Sequence, residues 1–504
     1  MKKILRAALP CLAAAAAAAA LAACGGLDVV GNSLPQAYQA PAPGSLAIST
    51  MTPSSLPLDP QIIAGLAHMV DHHLNFVRDL STAAAGTPEG DLLLIGSPIG
   101  YNLRNRYLDI GIPLAEAFSG NSDPALRSQL VDMSRWEDDN ESRAAALLAL
   151  ARWHDIGYLQ VFNEALINVD PGVRFAALEA LVVWNHPRQA EVLLAAAAEK
   201  DPVPILRVYA AAGLARIGDP AGLARLRQFL DDPDWLVKAM AARYIGENGT
   251  AEDYDLLLNR VDGEVGNDFV VAEFCVSALK LYPKKKAAQE KAVPSAAVLV
   301  PSIPVGNLVL DDSMAYELDP LVVTAPRIAA QVDLIDPRIN SQLLRLLKKK
   351  SERQDSTAQL SSSLTTLYQL TTQTGFNLQI RYTQLGYLLT EGLAGTTDYD
   401  IQNALENTAR QSKDVQMRAA ALVALAYSKD MRYQPLILGA MIDPNITVRF
   451  AALESLLIMG DPSLEIQVGT MARGDPSIPV QVYAAAAMWR MGDIFGRELL
   501  LRLY

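Results

Sequence analysis

Two nine-residue stretches lying 275 positions apart in this chain are nearly the same. Val173-Arg174-Phe175-Ala176-Ala177-Leu178-Glu179-Ala180-Leu181 and the stretch from Val448 to Leu456 differ only at Ala180 against Ser455. The same spacing aligns Arg143 to Leu147 with Arg418 to Leu422, and Gly100-Tyr101-Asn102-Leu103 with Gly375-Phe376-Asn377-Leu378. It also aligns Arg106-Tyr107 with Arg381-Tyr382, and a small slip brings Leu58 to Ile62 onto Ile335 to Ile339. The chain is therefore an internal duplication, one half beginning near residue 58 and the other near 335. Such self-similarity restricts the fold to stacked copies of one supersecondary unit.

A shorter period runs inside each half. Arg143, Arg174, Arg207 and Lys238 recur at intervals of 31, 33 and 31, and Arg418, Arg449 and Gln481 follow at 31 and 32. Each of the first four heads an Ala-rich apolar segment that ends seven residues later, at Leu150, Leu181, Leu214 or Ile245. Alanine is the strongest helix former and lets neighbouring helices approach closely. Gly218, Gly249, Gly460 and Gly492 follow as stops, where a left-handed C-cap suits glycine. Asp219-Pro220 and Asp461-Pro462 then read as an N-cap with proline in the first turn. Asp170-Pro171, Asp201-Pro202, Asp232-Pro233, Asp443-Pro444 and Asp475-Pro476 repeat the device at the junctions between units. Each unit is thus helix, turn, helix, turn, and no unit can bury its apolar face alone. Stacking does so, and the expected fold is all-α: a solenoid of helix pairs in two duplicated lobes.

These units resemble short HEAT repeats of the phycobilisome-lyase type, whose pattern runs D-P-x-V-R-x-x-A-A-x-A-L-x-x-I-G-D. Leu206 to Asp219 and Val173 to Leu181 match it closely, Val237 to Gly246 follows it, and Phe269 to Leu279 is a degenerate unit. Clear matches cover residues 140–280 and 415–504, while 58–135 and 335–410 read as divergent caps or further units. The resemblance implies that Arg143, Arg174, Arg207, Lys238, Arg418 and Arg449 pair with the aspartate of an adjacent turn, a structural ladder. The other reading of these residues is a ligand-facing basic stripe. Such repeats identify architecture and are nearly silent about function.

The N-terminus carries an address. Lys2, Lys3 and Arg6 precede an Ala/Leu-rich run from Ala7 to Ala23, the layout of an export signal, with an uncleaved anchor as the alternative. Leu21-Ala22-Ala23-Cys24 resembles the lipobox of bacterial lipoproteins. That resemblance implies cleavage before Cys24, diacylglycerol on its sulfur, and a further acyl chain such as palmitate on the new amino end. Several acyl chains, at about 0.8 kcal/mol per methylene, make a stable anchor. Gly25 stands where an Asp would be the usual inner-membrane retention signal, which by the same resemblance favours the outer membrane, periplasmic face. Beyond the signal no run is long and apolar enough to read as a membrane span.

A Pro-, Ser-, Ala- and Gly-rich tether follows Cys24, spanning roughly 30 Å at 5–6 Å × √n. The expected organisation is a signal over 1–23, a tether over 24–57, a first lobe over 58–282, a Pro/Val-rich linker over 283–334 and a second lobe over 335–504. Within the linker, Asp319 to Arg327 resembles a TonB box, the short extended segment by which outer-membrane receptors add a strand to an energy-coupling protein. Leu321, Val322, Val323, Thr324 and Ala325 would make that contact. The alternative is a connector packing on its own lobe.

Signals for catalysis are weak. His68 and His72 stand four apart, a spacing that suits metal ligands, but their counterparts in the second half are Arg345 and Lys349, as for a solvated basic helix end. His154 and His186 fall on turn positions occupied elsewhere by Gly218 and Asp219. HEAT-fold deoxyhypusine hydroxylases bind iron through His-Glu pairs, and this chain has no His-Glu dipeptide. The acidic run Glu137 to Glu141 lacks the glycine of a calcium loop. No phosphate-binding loop or nucleophile elbow is present. Cys275, within an apolar stretch, reads as a small buried residue. A net charge of −12 argues against nucleic acid as a partner.

The sequence therefore predicts a scaffold without catalytic residues, metal or cofactor, anchored by lipid and binding an envelope protein on its concave surfaces. An assembly or transport machine is the expected setting. The alternatives are an adaptor that docks a TonB-like protein through 319–327 and, on the repeat resemblance alone, a phycobilin-lyase-like enzyme.

Overall fold

The computed structural model describes residues 124–136, 140–264, 267–292, 336–352, 362–461, 464–490 and 493–503. Cys24, His68, His72, the tether and Leu321 to Ala325 lie outside the described residues. The described chain is helical throughout, with no strand. In order it forms α1 (Pro124–Trp136), α2 (Asn140–Ala151), a 3-10 turn at Ile156–Tyr158, α3 (Leu159–Ala165), α4 (Pro171–Val183), α5 (Pro187–Lys200) and α6 (Pro204–Arg216). Next come α7 (Pro220–Phe229), α8 (Trp235–Asn248), α9 (Ala251–Val261), α10 (Asp268–Ala292), α11 (Pro337–Glu352), α12 (Ser362–Leu367) and α13 (Gln373–Thr383). The second half continues with α14 (Leu385–Leu393), α15 (Tyr399–Gln411), α16 (Val415–Ala426), a 3-10 turn at Met431–Tyr433 and α17 (Gln434–Ala440). It ends with α18 (Ile446–Met459), α19 (Glu465–Gly474), α20 (Ile478–Arg490) and α21 (Ile494–Leu503).

Two rows result. The inner row runs α2, α4, α6, α8, α10, α14, α16, α18, α20, each helix packed on the next. Inner helices are buried all round: in α4 every residue from Gly172 to Val182 is buried. Outer helices bury one stripe only, such as Ala190, Leu194 and Ala198 of α5, spaced four apart. A single apolar core crosses both halves, including Leu147, Phe175, Leu236, Phe274, Leu343, Leu388, Leu422 and Phe450. Burying each such side chain contributes about 1.5–3 kcal/mol.

The duplication is visible element by element. At a spacing of 275 residues, α1 and α2 recur as α15 and α16, and the first 3-10 turn and α3 recur as the second turn and α17. Left-handed residues close equivalent helices: His154 (φ 51°), Asn185 (φ 57°), Gly218 (φ 89°), Lys429 (φ 54°) and Gly460 (φ 65°). At Gly249 the expected left-handed cap is absent, for the residue is extended with φ −71° and ψ 179°. Thr250 caps α9 immediately afterwards, in a reciprocal pair with Asp253, so the chain leaves α8 without a reversing residue.

The Asp-Pro junctions also divide. Asp170 and Asp219 cap helices whose first residue is the proline, as expected. Asp201, Asp232, Asp443 and Asp475 instead precede their helices by a few residues. Each accepts a hydrogen bond from the backbone N–H two positions on, an Asx turn. The expected break after residue 282 falls inside α10, which continues through Pro283 to Ala292. Lys284 Nζ donates to the Gly249 carbonyl (2.7 Å) and Lys285 pairs with Asp255, holding this stretch against α9. The halves are not separated by a gap, since α10 packs directly on α11 and α14.

Candidate functional site: a covered inner face and a buried charged seam

The ladder forms where a turn aspartate stands opposite. Arg174 donates Nε and Nη2 to the two carboxylate oxygens of Asp201 (2.9 and 3.1 Å), and Arg449 does the same to Asp475 (2.8 and 3.0 Å). Each also gives Nη1 to two carbonyls of its own preceding turn, Asn168 and Val169, or Asp443 and Pro444. One guanidinium thereby clamps two successive turns. Arg418 reaches Asp443 at 3.4 Å, and Lys238 uses Glu264 (2.7 Å) instead of an aspartate. Arg207 departs from the ladder: its Nε is buried with no hydrogen-bond partner among the described residues. Buried pairs of this kind position the repeats and point inward, which leaves no basic stripe at Arg174 and Arg449.

Between outer α11 and inner α14 the chain inserts α12 and α13, and this insert lies back across the inner row. α12 packs on α6 and α8. The Thr374 hydroxyl donates to Glu179 of α4, and the Gln369 carbonyl passes so close to Gly172 that a Cβ there would sit 2.3 Å from it. Tyr382 stands edge-on to Trp235 of α8, ring centroids 6.4 Å apart. The insert turns at Thr372, which caps α13 by accepting from the Gly375 N–H (3.1 Å). The face expected to receive a partner is therefore filled, in the first half, by the chain itself. Sequence reasoning missed this, although the repeated Gly-aromatic-Asn-Leu motif marks the same segment in both halves.

A buried charged seam joins the halves. Arg381 of α13 is fully buried and donates Nε and Nη2 to Glu273 of α10 (2.6 and 2.7 Å) and Nη1 to Glu391 of α14. Lys280 of α10 pairs with the other oxygen of Glu391 (2.9 Å), and Ser277 Oγ donates to Glu273 (3.2 Å). Burial opposes charge on Glu391, but Arg381 and Lys280 outweigh it and hold its carboxyl well below the usual carboxylate range. Burial likewise opposes charge on Arg381, and Glu273 and Glu391 keep it protonated far above its ordinary value. Beside them Arg243 pairs with Glu247 (3.2 Å). Glu273 and Glu391 thus each face a cation, an arrangement that locks three helices.

The remaining candidates have structural settings. Cys275 is fully buried, and burial pushes its thiol up to about 12. His186 hydrogen-bonds the His154 carbonyl through Nε2 (2.7 Å) and lies tilted against the Trp184 ring, a turn contact. Among the described residues no group of His, Cys, Asp and Glu is arranged to hold a metal ion. No described helix is long and apolar enough to cross a membrane.

Comparison with known proteins agrees with this architecture. The family described as HEAT repeats matches residues 190–278, which span α5 to α10. No curated protein sequence matches the chain. The described chain is an all-α solenoid built of HEAT-like repeats.

Proposed function

We propose that this chain is a lipid-anchored scaffold of the bacterial envelope that binds another envelope protein and carries no catalytic centre. HEAT repeats commonly serve as protein-interaction scaffolds. The lipobox ending at Cys24 supports export and anchoring at the outer membrane, with the array facing the periplasm. One structural observation carries the choice of surface. Ile167 and Ile442 occupy the same turn in the two halves and are 82 % and 86 % exposed. Ile156 and Met431, also paired by the duplication, are exposed in the neighbouring 3-10 turns. Single exposed apolar residues are ordinary, but the same ones recurring at duplicated turns fit a contact surface. With the inner face of the first half crossed by the insert, the turn edge is the surface proposed for a partner.

The test is chemical crosslinking in intact cells followed by capture through a C-terminal tag. A stoichiometric envelope protein is expected, lost with Ile167→Asp and Ile442→Asp together. Cys24→Ala should move the chain from the membrane to the soluble envelope fraction. Recovery of the chain alone would overturn the scaffold reading, and an unchanged membrane fraction for Cys24→Ala would overturn the anchor.

A further inference from the structure

The last described repeat copies an earlier one that has a neighbour on each side. At a spacing of 274 residues, α20 and α21 have the bounds of α6 and α7 residue for residue. The two helices cross in the same way. A Cβ on Gly222 would lie 2.5 Å from the Ala211 carbonyl, and one on Gly496 would lie 2.5 Å from the Ala485 carbonyl. On α6 and α7 rests α8. No described repeat stacks beyond α20 and α21.

Three positions mark the side of a repeat that receives the next. The first directly follows the ladder residue. Phe175 meets Tyr209 of the next repeat (ring centroids 4.5 Å apart), and Phe450 meets Tyr483 (4.8 Å). Phe175, Val208, Ala239 and Phe450 at this position are all fully buried, whereas Val482 is 38 % exposed. The second lies three residues before the ladder residue. Trp235 there packs on Phe269 of α10 and Ile446 is buried, but Ile478 is 42 % exposed. The third is on the outer helix, where Arg227 of α7 donates to Asp253 of α9. Its counterpart is Leu501, 57 % exposed.

Helical spacing joins these positions into one surface. Ile478, Val482 and Ala486 stand four apart on α20, and Ile494, Glu498 and Leu501 follow at steps of four and three on α21. A terminal repeat keeps an array soluble by turning a polar face outward. Here the outward face is apolar. At about 200 Å² for a wholly exposed large side chain, Ile478, Val482, Ile494 and Leu501 present on the order of 400 Å², about half of what each partner covers in a standard interface.

We propose that two copies of this chain pair tail to tail through α20 and α21, their faces related by a two-fold axis. A two-fold pairing sets a surface against itself, so each apolar stripe meets its equal and no open stacking face is left. The charges suit the same symmetry. Arg497 and Glu498 are adjacent and exposed in the middle of α21, one of each sign. Antiparallel copies of the helix set Arg497 of each chain toward Glu498 of the other. Leu501 argues against a further repeat as the occupant, because the cation that grips α9 from this position of α7 is gone. The pairing is a property of the repeat array and does not depend on the lipid anchor.

Sedimentation velocity on the full mature chain with Cys24→Ser tests this. The expected species is a dimer, and Val482→Asp with Leu501→Asp should give monomers with an unchanged circular dichroism spectrum. A charge exchange identifies the occupant. Arg497→Glu should raise the dimer dissociation constant at least about tenfold, since like charges then meet across the axis, and Arg497→Glu with Glu498→Arg should restore it. Monomers at every concentration would overturn the proposal, and slow amide exchange in 478–489 of such monomers would put a segment of the same chain on the face. A dimer that survives both aspartates would place the contact elsewhere and overturn it as well. So would a double exchange that pairs no more tightly than Arg497→Glu alone.

Discussion

Replacing Arg381 by methionine removes the one cation that faces two buried carboxylates. Glu273 is fully buried and loses the guanidinium that takes both its oxygens, while Glu391 keeps Lys280. Breaking a buried ion pair by deleting one partner costs about 3–5 kcal/mol, because the stranded charge has lost its water and its counter-ion together. The cost should be local, since a repeat array opens in segments and lacks a single global stability. Hydrogen exchange of peptides covering 373–383 and 385–393 is the fitting assay. At about 1.4 kcal/mol per tenfold, the expected acceleration is roughly a hundredfold to several-thousandfold. The double variant Arg381→Met with Glu273→Leu removes one charge of each sign and leaves Lys280 paired with Glu391. It should regain at least about 2 kcal/mol of the loss, because buried pairs exchanged for apolar groups are often close to neutral. If the double variant exchanges as fast as the single one, the damage lies in packing alone, and the electrostatic account of the seam is wrong.

Gly172→Ala should lift the insert from α4 without unfolding α4, since the new Cβ meets the Gln369 backbone, and faster exchange confined to 362–383 would show it. Acid should weaken the seam with a defined sign. Glu391 has an ordinary value of 4.5 and is held far below it when folded, so its contribution is complete above about pH 4.5 and fades as pH falls through the folded value. Urea midpoints measured downward from pH 5 should therefore drop, with a shallower slope in Glu391→Gln. Cys275 should resist alkylation at pH 8 in the folded chain and react once urea opens α10, because burial both shields the thiol and suppresses its thiolate. Rapid labelling of the folded protein would contradict that placement.

Local chemistry made much of this protein legible before any coordinates. Ala-rich segments with a basic residue at a fixed offset specify helices, and the period near 32 residues specifies stacking, because a unit with one apolar face has nothing else to bury it against. Asp170 and Asp219 were readable as caps, and Asp201 and Asp475 were found in the right turns although their bonding is different. At 201 and 475 the helix starts a few residues later, and both carboxylate oxygens reach the guanidinium of the preceding repeat, Oδ1 also accepting the Asx-turn N–H. Pro283 misled for the opposite reason: it breaks helices by intrinsic preference, and the contacts of Lys284 and Lys285 with the preceding repeat hold α10 through it, whereas Gly249 ends α8 as expected but in an extended conformation.

What the sequence by itself determined is the repeat, the duplication and the helical architecture, since these follow from residue spacing within one unit. Only the tertiary structure decided where the insert lies and what Arg381 does. Its partners Glu273 and Glu391 are 108 positions before it and 10 after, and no periodicity links them. A charge reveals its partner only when folding removes the water from around both, and that happens where the two halves meet.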